Sequence, residues 1–344
     1  MIPSINLEII IMTIRQIADM FGVAPSTVSV VLNDRPGVRK EMREKITDAL
    51  IENGYKIKKS ESESKGSILF VYYKSTDYLA ARKDNTLSTY LMGIEQTCTE
   101  NHYSFSLTNA SSETLDQVLA SAQKEHKGVV ILGTEYYENP SASFFNSNIP
   151  IVMLDAYFPE CCLNTINMDN SYGVYEALTY LSEHRHRKIG YLKSRLEFGC
   201  LRDRANSIYD SMNTLSLGEP FCVIPVSQEA IQIQQEIQQY IDSGAEIPTA
   251  FIADNDIIAV SAMQTFQDNG FRIPDDISFI GFDDSDICTI IRPNLTTVRA
   301  NLKEMARQSV LRLISLIESP PTGFIRIEVG TTLIKRHSVT DAKY

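Results

Sequence analysis

At 344 residues with a formal net charge of -11, the chain is too long for one comfortable core and long enough to fold without crosslinks, so two or three domains are expected. Its 43 acidic against 32 basic side chains argue against a protein that coats nucleic acid or anionic lipid along its whole surface. Six cysteines with no C-x-x-C spacing read as reduced thiols, the vicinal pair Cys161-Cys162 as an incidental loop pair. No run approaches the roughly 18 apolar residues of a spanning helix.

Residues 1–11 have no Lys or Arg ahead of their short apolar run EIIIM, the wrong order for a secretory signal, and are set apart as an N-terminal extension. From Met12 to Tyr55 apolar residues recur at helical spacing in three bursts: Ile14, Ile17, Ala18 and Phe21; Val28, Val31 and Leu32; Met42, Ile46, Ala49 and Leu50. Thr13 with Gln16 predicts a capping box on the first helix. Between the first two bursts, Gly22 suits a positive-φ turn and Pro25 the first position of the next helix, which together describe a helix-turn-helix unit. The charge changes sign here: residues 12–59 carry nine basic and six acidic side chains, a local +3, against -13 for residues 60–344. A cationic headpiece at 12–58 is therefore expected, then a polar linker at 59–67 within the charged, serine-rich stretch KIKKSESESKGS.

After the linker, strand-like and helix-like segments alternate. Strands are predicted at 68–73, 103–108, 128–134, 149–155, 188–194, 221–226, 249–254 and 277–284, each nearly continuous in apolar residues, with helices at 256–269 and 301–318 among the intervening segments. The expected fold is a small all-α headpiece followed, at 68–340, by an α/β core of two doubly wound parallel sheets with a cleft between them. Its first subdomain is placed at about 68–166 and 298–324, its second at 167–297 and 325–340.

The stretches MTIRQIADMFGVAPSTVSVVLNDRPGV and TAFIADNDIIAVSAMQTFQDNGFRIPDDISFIGFDD together resemble the lactose-repressor family of bacterial transcription regulators, from Met12 to about Ser338. Members typically begin Met-Thr-Ile, which marks Met12 as a natural start. The resemblance implies that 25–33 is a recognition helix lying in the DNA major groove, and a periplasmic-binding-protein-like core. It places Pro25, Ser26 and Val30 at sequence-choosing positions, and Thr27, Ser29 and Asn33 at backbone-positioning ones. Thr13 joins the DNA-facing set, and Arg39, Lys40 and Arg43 are added as phosphate contacts. Three departures carry expectations of their own. Val30 stands where many members have a basic residue and would favour a thymine methyl; Ala24 replaces a serine cap; the linker lacks the apolar wedge of the family's hinge helix, which implies less DNA bending.

For the cleft, the resemblance implies effector contacts at Asp155, Arg204, Asn255 and Asp283, all near strand ends, a set suited to a polyol. Asp256 and Asp284 read instead as helix caps. The ring the family often supplies after the sixth strand is missing from PVSQEAIQ, so Tyr73, Tyr157 and Phe198 are the aromatic candidates, and the first cleft loop, 74–89, is long. The histidines of EHRHRK (183–188) are not expected to hold a metal, and no cofactor or catalytic motif is anticipated. The expectation is a cytoplasmic, homodimeric, sugar-responsive repressor that binds operator DNA, with a solute-binding receptor as the alternative.

Overall fold

In a computed structural model, residues 12–33, 37–55, 64–75, 86–136, 140, 142–319 and 323–343 are described. The chain divides into two compact units, 1–65 and 66–344. The expected extension at 1–11 and most of the linker lie outside the described residues, as does 76–85 of the first cleft loop.

The first unit has three helices, α1 (Ile14–Met20), α2 (Pro25–Leu32) and α3 (Lys40–Glu52). The Thr13 and Gln16 capping box forms, Gly22 turns the chain at φ +62, and Pro25 opens α2 behind an Ala24 that contributes no side-chain cap. Ile17, Ala18, Val28, Val31, Ile46 and Leu50 make its buried core. Contacts distant in sequence close the bundle: Asn53 Oδ1 accepts from Met12 N at 2.9 Å, and Tyr55 Oη donates to Met12 O at 3.0 Å.

The second unit contains two sheets. Strands β1 (Ser67–Tyr73), β2 (Ser104–Ala110), β3 (Gly128–Leu132), β4 (Ile151–Leu154), β5 (Asn164–Met168) and β11 (Arg326–Val329) form the first, in the order β11-β5-β4-β3-β1-β2, parallel throughout. The second contains β6 (Ile189–Ser194), β7 (Val223–Val226), β8 (Ala250–Ala253), β9 (Ser278–Phe282), β10 (Thr296–Arg299) and β12 (Thr332–Ile334), in the order β12-β10-β9-β8-β6-β7. Only the β10–β12 pair is antiparallel. Helices α4 (Thr86–Glu100), α5 (Leu115–Glu125) and α12 (Leu302–Glu318) pack on the first sheet, and α6 (Ala142–Phe145) and α11 (Ile287–Ile290) are single turns. Of the helices that follow β5, α7 (Asn170–Glu183), α8 (Gly199–Thr214), α9 (Ala230–Asp242) and α10 (Asp256–Asp268) serve the second.

The chain crosses between these lobes three times: from β5 into α7, from β10 into α12, and from β11 into β12. All three expected crossings, at 167, 298 and 325, come too early: Asn167 and Met168 still pair with β11 in the first sheet. Thr296–Arg299 still pairs with β9, and Arg326–Val329 still pairs with β5. These strands, with β5 and β12, are the four that the apolar runs did not announce. Their residues, NTINM, TTVR, RIEV and TLI, are short and largely polar, because they lie toward the sheet side where the crossings supply the covering backbone.

Candidate DNA-binding face and effector cleft

Helix α2 has two faces. Val28 and Val31 are buried in the bundle core, while Pro25 and Ser26 are exposed and Ser29, Val30 and Asn33 half-buried on the opposite arc. At 100° per residue, positions 25, 26, 29, 30 and 33 fall within one sector of about 140°, free of the bundle's own packing. Thr27 lies toward the core side and is half-buried. Asn33 turns back on its own helix, donating from Nδ2 to Ser29 O at 2.8 Å. Thr13 and Arg39 are exposed, Arg39 preceding α3, and Lys40 and Arg43 lie in its first turn. Cations at a helix N-terminus oppose the helix dipole and are eased by an anion placed there.

In the second unit, Asp155, Arg204, Asn255 and Asp283 all line one partly open cavity between the lobes. Asp155 follows β4 and Asp283 follows β9, the fourth strand from the β2 or β7 edge in each sheet. Both have left-handed φ, +55 and +107, a conformation that costs a non-glycine residue about 1–3 kcal/mol. The same bond fixes each: Asp155 N donates to Ile166 O, and Asp283 N to Val298 O, both at 2.8 Å. Thr134 donates to Asp155 Oδ2 at 2.6 Å.

Arg204 is 3 % exposed. Its Nε donates to Asn170 Oδ1 at 3.1 Å, Nη1 to Asp254 O, and its Cζ stacks 3.4 Å from the centre of the Phe282 ring. Asp254 beside it accepts from Tyr191 Oη and Ser194 N, both at 2.6 Å. Burial pushes its carboxyl up to about 6, against the opposing pull of Arg204 and those two donors.

Asn255 caps α10, its Oδ1 accepting from Ile258 N at 2.9 Å, and its Nδ2 donates to Gln228 Oε1 at 2.9 Å. Gln228 stands in the stretch without a ring and donates on to Ser194 Oγ at 2.5 Å. Neither Asp256 nor Asp284 caps a helix as expected. Asp256 accepts from Ser285 N at 2.7 Å and from Thr297 Oγ1 at 2.5 Å. Asp284 is paired with Arg299 at 2.6 Å and Arg336 at 2.5 Å. Each carboxylate ties a loop to a neighbouring strand or to the C-terminal segment, because each faces the sheet rather than the helix that follows.

The three aromatic candidates are not on the cavity wall. Tyr73 packs on Tyr136 with ring centres 4.5 Å apart; Phe198 is buried with Cys200 and Leu201; the Tyr157 hydroxyl donates to Met168 O at 2.9 Å. Tyr90, from α4, lines the cavity instead, with Thr86, Thr134, Met168, Cys200, Leu201, Ala300 and Leu302. Thr134 was discoverable as the polar residue ending a predicted strand. Tyr90 carried no signal, since nothing in its helix marks the side that meets the cleft.

His184 and His186 are occupied elsewhere, in fastening the C-terminal segment: His184 Nδ1 to Asp341 Oδ1 at 2.7 Å, His186 Nε2 to Thr340 O at 2.9 Å. No cluster of three or more metal-ligating side chains occurs among the described residues. Nor is any described helix long and apolar enough to cross a membrane. None of the six cysteines is in a disulfide.

Two family profiles match: "Bacterial regulatory proteins, lacI family" over residues 13–57 and "Periplasmic binding protein-like domain" over 178–339. The ribose operon repressor of Haemophilus influenzae is 26 % identical over 336 residues, covering 96 % of this chain and 99 % of the relative. The transcriptional repressor PurR of H. influenzae is 28 % identical over 338 residues, covering 95 % and 98 %. Among solved structures, a lac repressor dimer bound to operator and an anti-inducer aligns with a TM-score of 0.69 at 22 % identity, over 96 % of this chain and 99 % of that one. A complex of the regulator CelR with cellobiose aligns with a TM-score of 0.67 at 20 % identity, covering 95 % and 99 %. The chain thus combines a helix-turn-helix unit of the lacI family of bacterial regulatory proteins with a periplasmic-binding-protein-like unit of two crossed-over sheets, and it is similar nearly end to end to curated transcriptional repressors.

Proposed function

We propose that this chain acts in the cytoplasm as a homodimeric repressor whose hold on operator DNA is set by a small carbohydrate bound between the lobes. On this reading Pro25, Ser26 and Val30 meet base edges, while Thr13, Thr27, Ser29, Asn33, Arg39, Lys40 and Arg43 position the backbone. Val30 suits a thymine methyl. In the cleft, Asp155 and Asp283 accept from vicinal hydroxyls, Arg204 donates, Asn255 contributes what its capping bond leaves free, and Tyr90 supplies an apolar surface. Repressor relatives named for the ribose operon and for PurR, a neighbour bound to cellobiose and another bound to ribose support a sugar or nucleoside-like class.

One observation carries the reading: two strand-end aspartates and a buried arginine share a cavity wall in a chain that also has a helix-turn-helix with one face clear of its core. Ligand acts by binding one lobe arrangement better than another, and shifts operator occupancy only by that difference. The test is selection of duplexes from a random pool by the full chain, repeated with a panel of pentoses, hexoses, disaccharides and nucleosides. A palindromic consensus whose binding one compound alters by about tenfold is expected. Selection of no duplex at low salt would sink the reading, and a consensus indifferent to every compound would sink its carbohydrate half.

A further inference from the structure

The first turn of α7 stands where all three crossings meet. Asp169 N donates to Val329 O at 2.9 Å, and Thr331 donates its hydroxyl to Asp169 O at 3.0 Å. Gly173 leaves so little room that a Cβ there would stand 2.5 Å from Thr331 Oγ1 and 2.7 Å from Val298 Cγ1.

Asn170 occupies the same turn, is 1 % exposed, and spends its whole amide on the two lobes. Its Nδ2 donates to Tyr157 Oη at 2.8 Å and to Asp203 Oδ2 at 2.9 Å; its Oδ1 accepts from Arg204 Nε at 3.1 Å. Tyr157 belongs to the β4–β5 loop of the first lobe, and Asp203 and Arg204 to α8 of the second. One side chain thus joins the first lobe, the second lobe and the hinge, and does so through the guanidinium that lines the effector cavity.

We infer that Asn170 is a positioning residue: it fixes Arg204 in the cavity wall at an orientation set by the lobe angle, so a ligand that engages Arg204 moves the hinge through this amide. The inference rests on the effector-cleft reading above, but not on which ligand the cleft takes. A network of this kind carries coupling only if disturbing it alters both the hinge and the distant activity.

The experiment uses the full chain. Asn170→Asp removes the donor and sets a carboxylate against Asp203. Without DNA or ligand, amide exchange of 296–302 and 327–332, the two other crossings, should quicken by about tenfold. Affinity for a selected duplex should change by about fivefold in either direction. Exchanging donor and acceptor in Asn170→Asp/Asp203→Asn re-forms the pair with α8 but not the bond to Tyr157, so exchange should fall back to about the threefold level of Tyr157→Phe and duplex affinity should return part of the way, which loss of packing alone would not allow. Tyr157→Phe, which removes the bond from Asn170 to the first lobe together with the Tyr157 bond to Met168 O and leaves the Asp203 and Arg204 bonds in place, should quicken the same amides by about threefold and keeps the inference testable if the charged variant does not fold.

Unchanged exchange in both variants overturns the hinge role, as does a double variant whose exchange stays as fast as that of Asn170→Asp. Quickened exchange with unaltered duplex affinity overturns the coupling. If the unmodified chain takes no duplex at all, the regulator reading fails instead, and the exchange measurement still decides the hinge.

Discussion

The two lobes place equivalent residues at equivalent points and then fill the space behind them differently. Asp155 and Asp283 end matching strands, share a positive φ and donate the same backbone bond. Two residues earlier the lobes part: the first has Met153, fully buried, and the second Gly281. The reason lies on α10, whose Asp256 carboxylate occupies the volume that the methionine fills in the first lobe, so that a Cβ on Gly281 would collide with Asp256 Oδ1 and stand 2.9 Å from Leu295 Cδ2. Behind the cleft aspartate the first lobe therefore has apolar packing, with Thr134 bonding Asp155 itself, and the second a buried polar network of Asp256, Ser285 and Thr297. A duplicated backbone plan constrains where the cleft acids stand and leaves open how each is supported.

The largest effect should come from emptying the packed side. Met153→Ala is expected to cost about 2–5 kcal/mol in chemical denaturation of the core; a loss no greater than that of a surface methionine would break the contrast.

Next is the pH response of the polar side. Asp254 rises from an ordinary 3.8 to about 6 through burial, so between those values the folded chain binds a proton that the unfolded chain has released. Stability from this group is present at low pH and declines as pH rises through that window, by roughly 2–3 kcal/mol in all. Asp254→Asn should remove the decline, so the stability of the protein relative to the variant should be highest below about pH 3.8 and fall by roughly 2–3 kcal/mol as pH rises past about 6. His186, depressed by burial from 6.5, acts in the opposite sense as pH falls, which is why the comparison is made against the variant. A gap independent of pH would contradict the buried-acid account.

Gly281→Ala should destabilise by about 1–3 kcal/mol through overpacking, whereas the corresponding alanine in the first lobe acts by leaving a void. Neutral behaviour would mean that Asp256 can move aside.

The smallest effects concern the headpiece. Lys40→Ala should weaken binding to all duplexes alike and lower the salt slope by about one, whereas Ser26→Arg should change which sequence is selected. The same consensus from both variants would remove Ser26 from the sequence-choosing set.

Much of the fold is legible from local pattern. The three headpiece helices, the Thr13 capping box, the Gly22 turn and the apolar central strands follow from spacing and from residues whose backbone preferences are strong. The strands NTINM, TTVR, RIEV and TLI were not legible, since a short strand beside a crossing can be polar and still be held by its neighbours. The cleft was partly legible: the family resemblance picks out Asp155, Arg204, Asn255 and Asp283 near strand ends, and Thr134 stands at such an end too. Tyr90 and Asn170 could not be found this way, one because a helix carries no mark of which lobe faces it, the other because its three partners are 13, 33 and 34 residues away.

What the amino-acid order settles by itself here is periodicity, turn geometry, the reversal of charge between headpiece and core, and the family they resemble, because these depend on neighbours within a few positions. Which ring enters the cavity, which aspartate caps a helix and which ties down a loop, and where the chain passes between lobes were decided only once the two sheets had formed. Those outcomes depend on the volume and polarity left at a point by distant segments, and burial turns a small difference in that surrounding into several kcal/mol.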